Sequence, residues 1–195
     1  LLMLLLVRGD LLAAWQKRLP PDAPNHFLIN VLPNDVQRLK EFLTRAGVGG
    51  RDGPEVFPMV RGRLTHINGR PVSGADYADD HARNLVEREF NLSWSARLQE
   101  DNRVVDGSFW DAQARGQREL SVEKGLAETL GIRLGDELSY RILDRDVRAT
   151  VTSLRKVEWD SFRANFVVLA PPGVFEEFPA TWITSFYLPA ETPAV

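Results

Sequence analysis

A chain of 195 residues with 44% apolar and 26% charged residues can bury a substantial core, and its composition is ordinary for a globular domain. A net charge of −3 and a pI near 5.7 leave no basic footprint for nucleic acid. The absence of cysteine removes disulfides, thiolate metal sites and thiol nucleophiles together.

The first seven residues, Leu1 to Val7, are all apolar. Seven are too few to cross a bilayer, which takes about 20. They suit the last turns of a membrane-exit helix over 1–16, with Trp15 at the headgroup level where indoles collect. An amphipathic first helix packed on the domain is the alternative. Arg8, Lys17 and Arg18 pull against an extracytoplasmic placement, because basic flanks favour the cytoplasmic side. Pro20-Pro21-Asp22-Ala23-Pro24 reads as a stiff linker.

His26 to Leu32 is a nearly continuous apolar run ended by Pro33, which predicts a buried strand. Asn34 or Asp35 then caps a helix in which Val36, Leu39, Phe42, Leu43 and Ala46 share one face, closed by Gly47. Val56 to Ile67 is extended and ends at Asn68-Gly69, a strong hairpin turn signal. Ser73 to Arg83 reads as a polar, turn-rich stretch. Arg88 to Trp94 alternates Phe90, Leu92 and Trp94 against polar neighbours, as a strand does. From Asn102 the pattern becomes mostly β. Glu119 to Val122 leads into a short helix through Leu126, Ala127 and Leu130, stopped by Gly131. A hairpin follows, with arms at Leu138, Tyr140, Ile142 and at Val147, Ala149, Val151, turning at Asp144-Arg145-Asp146. Phe166 to Leu169 predicts a buried strand, Val174 to Phe178 a short helix, and Thr181 to Leu188 a final strand. The fold class is therefore α+β, a split α/β unit with an inserted, mostly β block. No internal repeat is present.

The chemistry-bearing residues do not form a catalytic pattern. His26, His66 and His81 are the only histidines, and none has a second histidine at metal-ligand spacing. Asp76, Asp79, Asp80 and His81 lack the alternating oxygen pattern of a Ca²⁺ loop, and helix-capping carboxylates are the better account. No Gly-x-Ser-x-Gly elbow or phosphate loop occurs; Gly47, Gly49, Gly50 and Gly53 follow a helix instead of opening one. Asn91-Leu92-Ser93 matches a glycosylation sequon but lies inside a strand pattern. The tryptophans at 15, 94, 110, 159 and 182 suit core packing better than a sugar platform. The expectation is no catalytic, cofactor-binding or metal-binding residue.

Four segments carry a resemblance: Phe57 to Arg63, Arg88 to Trp94, Arg155 to Phe162 and Phe178 to Phe186. Together they resemble the extracytoplasmic domain of bacterial ABC-transporter permeases of the FtsX-like, MacB-type group, and within it the YbbP-like permeases. The resemblance implies a porter-like α/β subdomain over 17–101 and 159–195, with a sabre-like β-rich insertion at 102–158. It further implies an inner-membrane location with this domain in the periplasm, and a separate cytoplasmic ABC ATPase subunit as partner. A periplasmic esterase is an implied second partner, and lipid, lipoprotein or hydrophobic compounds the implied substrates. No catalytic residue and no cofactor is carried over.

Three other readings remain open on the sequence. One is a periplasmic binding or adaptor module anchored by a single helix. The second is a hydrolase using Asp79, Asp80 or His81. The third rests on Leu130 to Asp136, a helix-to-hairpin phrase shared with small DNA-binding swapped-hairpin barrels, and the acidic balance argues against it.

Overall fold

The computed structural model describes residues 20–189. The expected membrane-exit helix over 1–16 lies outside the described residues.

Among these residues ten strands form one hydrogen-bonded sheet. In chain order they are β1 (His26–Val31), β2 (Phe57–Ile67), β3 (Arg70–Pro71), β4 (Glu89–Trp94), β5 (Asn102–Gly107), β6 (Glu119–Glu123), β7 (Glu137–Ile142), β8 (Arg145–Val157), β9 (Val168–Ala170) and β10 (Thr181–Phe186). Among the described residues three helices accompany them: α1 (Val36–Arg45), α2 (Asp80–Glu87) and α3 (Lys124–Leu130). The content is mixed α+β and mostly strand.

The pairings close on themselves. β2 pairs with β4, β4 with β9, β9 with β6, β6 with β8, β8 with β7, and β7 returns to β2. Two of these contacts, β4–β9 and β6–β8, are parallel. A closed ring leaves its members little free edge, which limits the main hazard of an exposed sheet. Three ring strands (β6, β7, β8) come from 102–158 and three (β2, β4, β9) from the flanks, so the middle block shares its hydrogen bonding with both sides.

Strand alternation sorts the side chains. Val60 and Leu64 of β2 point inward, while Arg61 and Arg63 between them are exposed. The interior gathers Val60, Leu64, Phe90, Leu92, Leu120, Val122, Leu138, Tyr140, Ile142, Val147, Ala149, Val151, Val168 and Ala170. Ala82 and Val86 of α2, and Leu126, Ala127 and Leu130 of α3, join the same cluster. Gly62 also faces inward, where a Cβ would lie 2.7 Å from Leu92 Cδ1, so a larger residue there would have to displace that side chain. A second, smaller cluster lies on the outer side of the ring. There Trp110, Ala114, Phe166 and Leu169 pack with Phe57, Met59, Phe109 and Ile183.

β1 and β10 extend this body from the edge of β2. Here the structure corrects the sequence reading. The run from His26 was expected to be buried, yet five of the six residues of β1 are exposed. The strand sits at the end of the sheet with only β10 beside it. Two further corrections are local. Asp79 accepts a hydrogen bond from the Ala82 amide at 2.9 Å and starts α2, inside what was read as loop. The stretch from Val174 to Phe178 forms turns and no helix, although Val174, Phe175 and Phe178 are buried. The β7–β8 hairpin turns at Leu143-Asp144, one residue earlier than expected.

Candidate functional site

The two ends of the fold meet. β1 and β10 run antiparallel with His26 opposite Phe186, and their rings stack at 5.5 Å with 9° between planes. Just outside this pair Asn25 makes a clasp. Its Nδ2 donates to the Leu188 carbonyl at 2.9 Å, and its Oδ1 accepts from the Leu188 amide at 3.0 Å. The Asn25 amide donates to the Phe186 carbonyl at 3.0 Å. The incoming and outgoing chains therefore leave side by side at one corner.

Beside that corner lies an open groove of about 750 Å³ between β1 and α1. Leu28, Leu32, Leu39 and Phe42 line it, with Asp35, Arg38, Glu41 and Arg45 at its rim. Only Leu43 of α1 is buried. The result is an apolar shoulder on which Phe27 is 56%, Ile29 69%, Leu32 58% and Phe42 42% exposed.

A smaller recess of about 220 Å³ opens farther along β2. β10 covers β2 up to Met59 and β7 takes over at Arg63, so Val60, Arg61 and Gly62 register only with β4. Asn30, Leu143, Pro179 and Thr181 rim this notch. Asn30 and Leu143 both hold left-handed backbone, at φ 57° and 54°. For leucine that conformation costs about 1–2 kcal/mol.

A buried polar network stiffens the opposite end. Arg155, at 0% exposure, donates from Nη1 to Asn102 Oδ1 at 2.6 Å and from Nη2 to the Phe166 carbonyl. Asn102 Nδ2 donates to Asn165 Oδ1 at 2.7 Å, and Asn165 Nδ2 donates to Asp101 Oδ2 at 2.6 Å. Ser161 Oγ donates to the same carboxylate at 2.7 Å. Burial pulls the Arg155 guanidinium down to about 10, opposed by the charges of Glu123 and Asp101. Sequence reasoning missed this network, since nothing in the pattern around Arg155 marks it as internal.

The candidates from the sequence do not converge. Asp76 accepts from the Ser73 amide at 2.7 Å, Asp79 caps α2, and Asp80 pairs with Arg83. His81 is exposed in the first turn of α2, and His66 Nδ1 lies 3.0 Å from Thr65 Oγ1. Among the described residues no group of three or more His, Asp or Glu side chains is placed to hold a metal ion. Trp110 is buried and donates from Nε1 to the Ser95 carbonyl at 2.9 Å, while Trp94 and Trp182 meet edge-on at 6.3 Å. Trp159 stays half exposed. Trp15 lies outside the described residues.

No family profile matches the chain. A curated Escherichia coli K12 protein, described as the uncharacterized ABC transporter permease YbbP, is 43% identical over 187 residues. That match covers 95% of this chain but only 22% of the permease. A solved domain of a permease protein from Porphyromonas gingivalis is similar at TM-score 0.38 and 10% identity, covering 80% of this chain and 69% of that one. Across nearly all of its length, this chain is a relative of one segment of an ABC-transporter permease of the YbbP kind.

Proposed function

We propose that the chain is the periplasmic domain of an inner-membrane ABC-transporter permease. In this reading it transmits motion from a cytoplasmic ATPase subunit to work on, or export of, lipid, lipoprotein or hydrophobic compounds. The observation that carries the reading is the clasped corner. With His26 opposite Phe186 and Asn25 bonded both ways to Leu188, the two connections leave the body together, as a domain inserted between consecutive membrane spans requires. Identity to a segment amounting to 22% of a much longer permease supports it. The closed ring supplies the stiffness that a lever needs, because each of its strands is hydrogen-bonded to two neighbours.

In the same reading the chain divides into a porter-like part, 17–101 and 159–195, and a sabre-like part, 102–158. The latter presents β5 and the 108–117 loop for partners such as a periplasmic esterase. Those boundaries mark lengths of chain that share one ring, not separately hydrogen-bonded bodies. The domain itself does no chemistry: the ATPase subunit hydrolyses ATP.

The test uses the whole permease with its ATPase in a bilayer. The described domain has no cysteine, so Leu143→Cys provides a single labelling site on it. Energy transfer from that label to acceptors in the lipid phase reads its height above the bilayer. The height is expected to differ between nucleotide-free and vanadate-trapped states. An unchanged height across all nucleotide states overturns the lever, and ester or phosphoester turnover by the domain overturns its non-catalytic role.

A further inference from the structure

Half of the exposed large apolar residues of the described chain are concentrated in one place. Phe27, Leu28, Ile29, Leu32 and Phe42 all belong to β1, α1 and their connection. Monomeric domains seldom leave so large an apolar patch uncovered without a partner for it. We propose that this shoulder rests on the lipid surface of the outer leaflet, with α1 lying in an anionic interface. The inference rests on the tethered-domain reading above.

Three observations select lipid over a second copy of the chain. The first is position: β1 begins at His26, directly beside the clasp from which both connections leave. The second is backbone. Asn30 takes φ 57° and the β1–β10 register breaks between Leu28 and Val31, so β1 offers no long regular edge for another strand. An occupant must therefore meet side chains instead of extending the sheet.

The third is charge. α1 carries Arg38, Lys40 and Arg45 against Glu41, a sum of 3 − 1 = +2. The whole chain carries −3, so the remainder sums to −3 − 2 = −5. Arg38 lies 3.5 Å from Asp35, but Lys40 and Arg45 have no ion-pair partner among the described residues. An anionic surface would attract this helix and repel the rest of the body, which turns the shoulder towards the bilayer. A helix with apolar residues on one face and basic residues around it is the form that lies in a membrane interface. Leu39 and Phe42 would enter the headgroup boundary beside Ile29 and Leu32, while Lys40 and Arg45 reach the phosphates.

The test again uses the whole permease with its ATPase, in bilayers of phosphatidylcholine containing about a quarter phosphatidylglycerol. Nitroxide labels are placed singly at Ile29, Phe42 and, as control, Leu143. Labels at 29 and 42 are expected to favour collisions with lipid-soluble oxygen over an aqueous nickel complex, while 143 does the opposite. The paired reversal K40E/R45E should lower the ratio of immersed to released shoulder by at least about fivefold per basic residue removed. Phosphatidylcholine alone should release the shoulder in the same direction. Aqueous accessibility at both 29 and 42 overturns the proposal, and so does spin–spin broadening, which would identify a second copy as the occupant. Insensitivity to both lipid charge and K40E/R45E overturns the anionic interface. The two readings fail differently. If only this one is wrong, the Leu143 label still changes height with nucleotide. If the lever is wrong, that height stays fixed whatever Ile29 reports.

Discussion

Tyr140 shows how a side chain can fit a core by shape and still be a poor match for it. Its ring meets Phe90 edge-on at 5.9 Å inside the ring of strands, yet its buried hydroxyl has no hydrogen-bond partner. Burial alone pushes its pKa far above the ordinary 10. A buried, unsatisfied hydroxyl costs about 1–3 kcal/mol. Tyr140→Phe is therefore expected to raise stability by about 1 kcal/mol at neutral pH, read as a higher urea midpoint with unchanged slope. The sign with pH follows from linkage. The folded state holds the phenol proton where the unfolded state releases it, so titration adds nothing to the hydroxyl's cost below pH 10 and lowers stability further as pH rises beyond it. The advantage of Tyr140→Phe should widen above pH 10. An equal midpoint for the two proteins at pH 7 and at alkaline pH would show that the hydroxyl is satisfied.

Elements were legible from the sequence where their partners are local. Alternation in Phe90, Leu92 and Trp94, the Asn68-Gly69 turn and the Gly131 stop each act within a few residues, and β4, the β2–β3 hairpin and the end of α3 follow them. Gly131 takes φ 72° as the cap of α3. What stayed hidden was long-range. An apolar run such as Phe27-Leu28-Ile29 announces that something covers it, without saying whether that cover is the same chain. The ring was equally hidden, because β4–β9 and β6–β8 are parallel contacts between distant segments and no local signal names them. The polar network belongs to this class too, since Arg155 joins β8 to Asn102 of β5 and to the Phe166 carbonyl. Arg155→Ala would leave the Asp101 carboxylate without its nearby cation and orphan two acceptors. It is expected to cost about 3 kcal/mol and to make the 159–166 segment the first site of proteolytic cutting. Wild-type proteolysis with an unchanged urea midpoint would contradict that role. Among the charged candidates, the capping role of Asp76 and Asp79 was legible from their place in a polar, turn-rich stretch, although the helix that Asp79 starts was not.

The whole molecule combines a closed body with an appended margin. The ring, α2 and α3 share one continuous apolar cluster, whereas α1 buries only Leu43 and β1 is exposed almost throughout. Opening free energies should differ accordingly. Amide hydrogen exchange is expected to proceed first in β1 and α1, and last in β2, β4 and β8. For the permease in a bilayer, protection of the β1–α1 margin should rise above that of the chain in solution. Slow, uniform exchange in solution would mean that the margin is as firmly held as the ring.

Ring closure also imposes an order on how the molecule comes into being. Only β9, at Val168–Ala170, joins β4 to β6, and it is synthesised after every other ring strand. Until it arrives, the nascent polypeptide holds two unsealed margins and an incomplete interior. Such late, non-local completion slows folding and prolongs exposure to mispairing. These three residues thus act as the keystone, and the period of vulnerability is set by when they take their place.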